Sequence, residues 1–183
     1  MLNSSREAWM VDYSVKARRI DAHGSVAITK AAEIVLDTDV KGRIDAFNPA
    51  ELFLASLAAC MIKGIERVMP MLKFELRAVE VRLHAVRQDS PPRIASIAYE
   101  ILVDTDENDH RLDLLHSNVR KYGTISNTVE AATDLSGILR RMPAPGAAEL
   151  KEHAAEIARF AEQNRKELDS IPAPGGDVLH EGP

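Results

Sequence analysis

Apolar and polar residues alternate along the first part of the chain. This period of two is typical of a strand with one buried face, and it predicts strands over residues 10–19 and 24–36. Gly24 lies at the turn between them, and residues 34–36 form a third short strand at the end of the second segment. The chain is therefore expected to begin with a small set of paired strands.

The strongest helix signal follows an irregular, polar segment. Asn48 is a preferred N-cap residue, Pro49 occupies the first helical position, and Glu51 lies three residues after the cap. Residues 51–68 are apolar around nearly the whole circumference, which is typical of a helix buried on most sides. In so short a chain, this burial predicts that a partner subunit covers part of the helix. Pro70 is expected to end or kink it.

Strands and helices alternate in the next part of the chain. Leu112, Leu115 and Val119 are spaced by three and four residues, which gives one apolar stripe on a helix. Gly123 is well placed to stop that helix. The predicted elements are strands over residues 76–88 and 94–104, a helix over 107–122, a short helix over 126–132 and a strand over 135–141.

The composition changes at Met142, where a linker rich in proline and glycine begins. Residues 147–168 are typical of a charged helix, and the chain from residue 171 onward has the composition of a disordered tail. The sequence therefore predicts a folded domain over residues 1–141 and an appendage over residues 142–183.

Charge and composition exclude several classes of protein. The formal net charge is −5 and aromatic residues make up 4% of the chain, which argues against a nucleic-acid-binding surface. No signal peptide is visible, and no run approaches the roughly 20 apolar residues that span a bilayer. We therefore expect a soluble, cytoplasmic protein that binds neither nucleic acid nor membranes.

The sequence predicts neither a metal site nor a cofactor site. His110 and His116 share a helix, but their spacing places them about 240° apart around it rather than on one face. Cys60 is the one cysteine, which excludes an intrachain disulfide and a four-cysteine zinc site within the chain. There is also no glycine-rich phosphate-binding loop.

Cys60 is the strongest candidate for a reactive group, and it has two interpretations. A free cysteine is most often a small buried apolar residue. A reactive thiol instead needs a nearby cation or a helix N-terminus to hold it as the thiolate. Cys60 lies several turns after Asn48, too far for the helix dipole to act on it. A basic side chain brought close by folding or by dimerisation would have to activate it.

Two motifs resemble those of the OsmC/Ohr family of osmotically inducible and organic hydroperoxide resistance proteins. Residues 48–60 carry Asn-Pro-x-Glu-Leu leading to Ala-Ala-Cys, as in the first motif of that family. Residues 123–128 resemble its second motif, Cys-Pro-Val-Ser-Asn-Thr, and keep Ser-Asn-Thr. Gly123 replaces the cysteine of that motif and Thr124 replaces its proline. The order of predicted elements also matches over about residues 10–141.

This resemblance implies an α+β fold in which antiparallel sheets surround two central helices. It further implies an intertwined homodimer with active sites at the subunit interface, acting as an oxidoreductase that reduces small organic hydroperoxides in the oxidative stress response. The matching catalytic residues are Cys60 as the peroxidatic cysteine, Glu51 as the conserved glutamate and Arg43 as the arginine, with Arg18 or Arg19 as alternatives for the arginine.

Helix geometry adds a condition to this assignment. Glu51 and Cys60 are nine residues apart, so they face opposite sides of one helix and lie about 13 Å apart along its axis. A shared site therefore requires Glu51 from the partner subunit. A simple capping-box role for Glu51 is compatible with this one.

The missing second cysteine leaves two hypotheses for function. In the first, a hydroperoxide oxidises Cys60 to a sulfenic acid, and an external thiol reduces it. In the second, the protein is a non-catalytic dimer of the same fold that binds a small apolar ligand at the subunit interface. The retained Ala-Ala-Cys and Asn-Pro-x-Glu favour the enzyme, whereas Gly123 favours the binding protein.

Overall fold

The computed structural model describes residues 11–143 and has an α+β architecture of two three-stranded sheets and three helices. The fold class predicted from the sequence is thus confirmed. Along the chain, the elements are β1 (Lys16–Arg19), β2 (Gly24–Thr29), β3 (Ala32–Asp37), α1 (Pro49–Leu72), β4 (Ala78–Asp89), β5 (Pro92–Asp104), α2 (Asp109–Tyr122), α3 (Thr124–Glu130) and β6 (Asp134–Arg141).

The first sheet is an antiparallel meander in the order β1-β2-β3. Its first strand begins at Lys16, later than the strand predicted over residues 10–19. The side chains of Val11, Tyr13 and Val15 are 69%, 85% and 69% exposed. Their alternation predicts a buried face, whereas nothing in the described part of a single chain covers it.

Helix α1 begins as the sequence predicts and ends later. The side chain of Asn48 accepts hydrogen bonds from two backbone N–H groups of the first turn, and the Glu51 carboxylate accepts one from the backbone N–H of Asn48. This reciprocal pair is a capping box. Pro70 does not end the helix, which continues to Leu72. One more half-turn follows before Lys73 ends the helix in a left-handed conformation, where the backbone N–H groups of Lys73 and Phe74 donate to the carbonyls of Pro70 and Met69.

The core lies where α1 and α2 pack against the second sheet, which has the order β4-β5-β6. The predicted apolar stripe of α2 is part of this core. Its largest contributions are Leu57, Ile65 and Val68 from α1, Leu112, Leu115 and Val119 from α2, and Ile97, Ile101 and Val103 from β5.

Helix α1 is less covered than its apolar circumference predicts. Its buried residues lie on the face toward α2 and the sheet, while Phe53 stays 37% exposed on another face. The uncovered apolar side of α1 therefore remains available to a partner.

Among the described residues, no helix combines the length and the apolar character that crossing a membrane requires.

The second sheet is mixed. β4 and β5 are antiparallel, but β6 runs parallel to β5, which the predicted antiparallel sheets did not include. The reason is the connection from β5 to β6, because α2 and α3 return the chain to the starting end of β5. In this pair Gly137 lies opposite Tyr99, and a Cβ at Gly137 would be 2.2 Å from the backbone oxygen of Tyr99. The close approach of the two strands therefore requires glycine.

The predicted linker, charged helix and tail lie almost wholly outside the described residues. Strand β6 ends at Arg141, and the described chain ends two residues later. The division into residues 1–141 and 142–183 stays a prediction.

Candidate active site

Cys60 lies near the middle of α1, half-buried, and faces the turn that joins α2 to α3. The backbone N–H of Ile125 donates a hydrogen bond to its sulfur, with a nitrogen–sulfur distance of 3.4 Å. Ile125 belongs to the second motif, residues 123–128. The fold therefore brings the two sequence motifs together around the single thiol.

An open pocket of about 400 Å³ lies over Cys60. Its walls combine small and aromatic side chains with two cations. The pocket is lined by Tyr13, Ser56, Ala59, Cys60, Lys63, Gly64, Arg67, Tyr122, Thr124 and Ile125. Cys60 thus lies at the wall of a cavity and outside the cluster of buried core residues, and its reactivity stays a prediction.

Lys63 and Arg67 are the cations nearest to Cys60 along α1. They follow it by three and seven residues, with Gly64 at the fourth, and this spacing places all four residues on one face of a helix. Both side chains are exposed, and the salt bridges within the described chain all join other residues. Both cations therefore line the pocket without a carboxylate within 4.0 Å among residues 11–143.

Sequence reasoning missed these two cations, although the chain carried the signal. It sought an arginine in the loop before the helix or in the first strands. The spacing Cys-x-x-Lys-Gly-x-x-Arg repeats the three- and four-residue steps of one helix face. Applied to polar residues as well as apolar ones, that rule would have found Lys63 and Arg67.

Gly64 shapes the pocket floor where α1 crosses α2. It is buried, and a Cβ placed on it would lie 3.4 Å from Cγ1 of Val119. The two helices therefore approach closely one turn beyond Cys60. That approach also fixes the end of α2, where Tyr122 contributes to the pocket wall.

Gly123 occupies the position at which the second motif of the family has its cysteine. It is buried, and it serves both as the C-cap of α2 and as the N-cap of α3. A Cβ there would lie 2.8 Å from Oγ of Ser126 and 3.2 Å from the backbone oxygen of Val119. Its φ of −76° is ordinary for any residue, so space and not backbone conformation favours glycine.

Glu51 and Arg43 do not line the pocket of Cys60 in the single chain. Glu51 is exposed at the start of α1, where it forms the capping box. Arg43 makes two hydrogen bonds of 2.6 Å to the carboxylate of Asp45. These bonds raise the pKa of Arg43 and lower that of Asp45 relative to their ordinary values. The alternative arginines, Arg18 and Arg19, are exposed on β1.

A part-buried polar pair lies between β5 and α2. The hydroxyl of Tyr99 and Nε2 of His116 are 2.8 Å apart, and the two rings meet edge to face. Burial, and after it the positive charge of Arg120, lowers the pKa of His116 below its ordinary value. Burial likewise raises the pKa of Tyr99. Both groups are therefore held in their neutral forms, which suits a hydrogen bond from the tyrosine hydroxyl to the imidazole.

Comparison with protein families covers every residue that lines the pocket of Cys60 except Tyr13. The sequence model described as OsmC-like protein matches residues 40–136, more than half of the chain. The chain belongs to the OsmC-like family. The matched segment contains both motifs, including Cys60 and the glycine that replaces the second cysteine. The resemblance predicted from the sequence is thereby confirmed.

Solved structures show the same OsmC-like fold. An OsmC-like protein from Mycoplasma pneumoniae superposes with a TM-score of 0.68 at 16% identity, over 73% of this chain and 99% of that one. The organic hydroperoxide resistance protein OhrB of Bacillus subtilis gives a TM-score of 0.55 at 17% identity, over 69% and 96% of the two chains.

A further match is an organic hydroperoxide resistance protein, OsmC, from Legionella pneumophila, with a TM-score of 0.58 at 20% identity over 71% of this chain and 98% of that one. No curated protein sequence matches the chain. At these identities the likeness establishes the fold, and the chemistry has to be argued from the site.

Proposed function

We propose that this OsmC-like protein reduces small organic hydroperoxides with Cys60 as its peroxidatic thiol. The observation that carries the proposal is the position of Cys60, at the wall of an open pocket between the two motifs. The backbone N–H of Ile125 donates to the sulfur of Cys60, and the exposed cations Lys63 and Arg67 line the same pocket. A cysteine that only filled the core would have neither.

The proposed reaction has an oxidising and a reducing half. The thiolate of Cys60 attacks the distal oxygen of the hydroperoxide, and the O–O bond breaks. The alkoxide that leaves takes a proton from water and becomes an alcohol, while Cys60 becomes a sulfenic acid. An external thiol then displaces water to give a mixed disulfide, and a second thiol molecule releases Cys60 and leaves as the oxidised disulfide. No cofactor or metal is required.

We further propose that the active unit is a cytoplasmic homodimer, as proteins of this family typically are. The exposed Val11, Tyr13 and Val15 and the uncovered side of α1 support this, because each is an apolar surface that a second copy could bury. In that dimer we assign Glu51, with Arg43 or with Arg18 or Arg19, to the partner's side of the site. Within one chain, Lys63 and Arg67 supply the positive charge.

The second candidate is a non-catalytic dimer that binds a small apolar ligand. The observation that favours it is Gly123, since the position of the second cysteine is filled by close packing against Ser126 and cannot resolve a sulfenic acid. The walls formed by Tyr122 and Ile125 would suit such a ligand. Whether Cys60 is oxidised by peroxide distinguishes the two.

The test is to treat reduced protein with substoichiometric cumene hydroperoxide in the presence of dimedone and to measure intact mass. We expect rapid addition of one dimedone label per oxidised chain and none in Cys60→Ser. Light scattering on the same sample checks that the protein is a dimer. An unlabelled, folded dimer would refute the peroxidase and leave the binding protein.

A further inference from the structure

The oxidised sulfur of Cys60 depends on a thiol from outside the chain. Cys60 is the one cysteine in the 183 residues, and the space at Gly123 is taken by Ser126 and by the backbone of Val119. The reducing thiol must therefore enter the same pocket that admits the peroxide. The groups that line the pocket beside Cys60 are then the groups that select it.

The charged part of the pocket lies on one side of the thiol. Along α1, Lys63 and Arg67 lie about 4.5 Å and about 10.5 Å beyond Cys60 at the helical rise of 1.5 Å per residue. Lys121 adds a third positive charge nearby, with its ammonium 5.3 Å from the ring centre of Tyr122, another wall residue. Lys63, Arg67 and Lys121 thus place positive charge near one side of the pocket, although the net charge of the chain is −5.

The two pocket cations are not used to hold the described fold together. The salt bridges among residues 11–143 join other groups, so neither Lys63 nor Arg67 has a carboxylate within 4.0 Å there. The guanidinium of an arginine matches a carboxylate in shape as well as in charge, and a lysine adds a point charge. An open cavity of about 400 Å³ is of the size that binds small metabolite-like molecules.

We propose, resting on the peroxidase function above, that Lys63 and Arg67 bind the carboxylate of a low-molecular-weight anionic thiol that reduces the Cys60 sulfenic acid. The bound thiolate attacks the Cys60 sulfur, the S–O bond breaks, and the hydroxide that leaves is protonated to water. The product is a mixed disulfide. A second anionic thiolate attacks the outer sulfur, returns Cys60 as the thiolate and leaves as the oxidised disulfide, so two thiols are oxidised for each peroxide reduced.

The test isolates the reducing step. Cys60 is first converted to the sulfenic acid with one equivalent of cumene hydroperoxide, and a dimedone-trapped sample confirms it. The remainder is mixed with 3-mercaptopropionate or with its methyl ester, and the mixed disulfide is timed by quenched intact mass. We expect the acid to react roughly three- to ten-fold faster than the ester, after each rate is divided by the rate of the same thiol with a small disulfide. Two exposed ion pairs would give a difference of this size.

The variant Lys63→Gln/Arg67→Gln should lose this preference, because the acid then reacts no faster than the ester. Lys41→Gln removes one exposed charge outside the pocket and should keep the preference. A third thiol, the cationic cysteamine, tests the sign of the charge. In Lys63→Glu/Arg67→Glu it should react faster than both the acid and the ester. Circular dichroism on each variant checks the fold.

Two outcomes would overturn the proposal and leave the peroxidase standing. One is equal rates for acid and ester in the wild-type protein after a positive dimedone test. The other is a double variant that slows sulfenic acid formation by a carboxylate-bearing hydroperoxide but leaves both thiol rates unchanged, because the cations would then serve the peroxide. A negative dimedone test would overturn both proposals together.

Discussion

Gly123 shows how one missing side chain can separate this protein from the two-cysteine pattern of its family. The backbone at this position is ordinary, but a Cβ would lie 2.8 Å from Oγ of Ser126 and 3.2 Å from the backbone oxygen of Val119. A side chain here would therefore require the Ser126 hydroxyl to turn away and the turn between α2 and α3 to shift slightly. Restoring the cysteine is a structural change as well as a chemical one.

We predict that Gly123→Cys destabilises the protein by about 1–3 kcal/mol, because the added Cβ overpacks the turn. Gly123→Ala should show a similar loss, since it adds the same atom without a thiol. Urea unfolding followed by circular dichroism measures both. A Gly123→Cys protein as stable as the wild type, with a rapid Cys60 disulfide after peroxide treatment, would contradict this.

At the same scale, the sequence predicted the capping box of Asn48 and Glu51 because it depends on residues close together in the chain. The role of Cys60 stays a prediction. The sequence did not predict that Ile125 would donate to the sulfur, since that contact joins positions 65 residues apart. The sequence could not show whether Arg43 belongs to the site of Cys60. In the structure Arg43 pairs with Asp45, two residues away, and does not line the pocket within one chain. The family resemblance assigns it to a site that a second subunit would complete.

At the scale of elements, the packing of α2 on β5 contains the part-buried pair of His116 and Tyr99. Burial lowers the pKa of His116, so the folded protein binds a proton at this histidine more weakly than the unfolded chain does. The contribution of His116 to the free energy of unfolding is therefore fully present above the ordinary pKa of 6.5 and is lost as the pH falls below it. The contact between helix and sheet should be sensitive to acid.

We predict that His116→Gln, which cannot be protonated in this range, loses less stability between pH 7.5 and pH 5.5 than the wild type does. Urea midpoints at the two pH values measure the effect. His84→Gln, an exposed histidine on β4, is the matched control and should follow the wild type. Equal slopes for His116→Gln and the wild type would show that this pair does not govern the acid response.

Most element positions could be predicted because hydrophobic period and cap residues are local signals. The exceptions are instructive. Pro70 is followed by two further helical residues, and residues 11–15 alternate without forming a strand in the single chain. The parallel direction of β6 depends on how α2 and α3 pack, which no period in the sequence of β6 encodes.

At the scale of the whole molecule, the proposed dimer follows from the position of two residues on one helix. Glu51 caps the start of α1, whereas Cys60 faces the turn after α2. One chain therefore does not bring the carboxylate to the thiol. If both act in one site, each subunit contributes one of them to the site of the other.

We predict that Glu51→Gln and Cys60→Ser proteins, each with little peroxidase activity, complement one another when refolded together. Random pairing gives one intact site in each mixed dimer, so activity should recover to about a quarter of the wild-type value. Peroxide consumption by the mixture, compared with each variant refolded alone, measures this. Undiminished activity of Glu51→Gln alone, or no recovery in the mixture, would contradict a site shared between subunits.

The single cysteine also determines what can be learned from the oxidised protein itself. With no other sulfur to pair with inside the chain, any disulfide of Cys60 must include a small thiol or a second copy of the chain. The mass of the intact chain then identifies that thiol. Protein recovered under mild, thiol-free conditions would keep the thiol attached, and its mass would name the reductant.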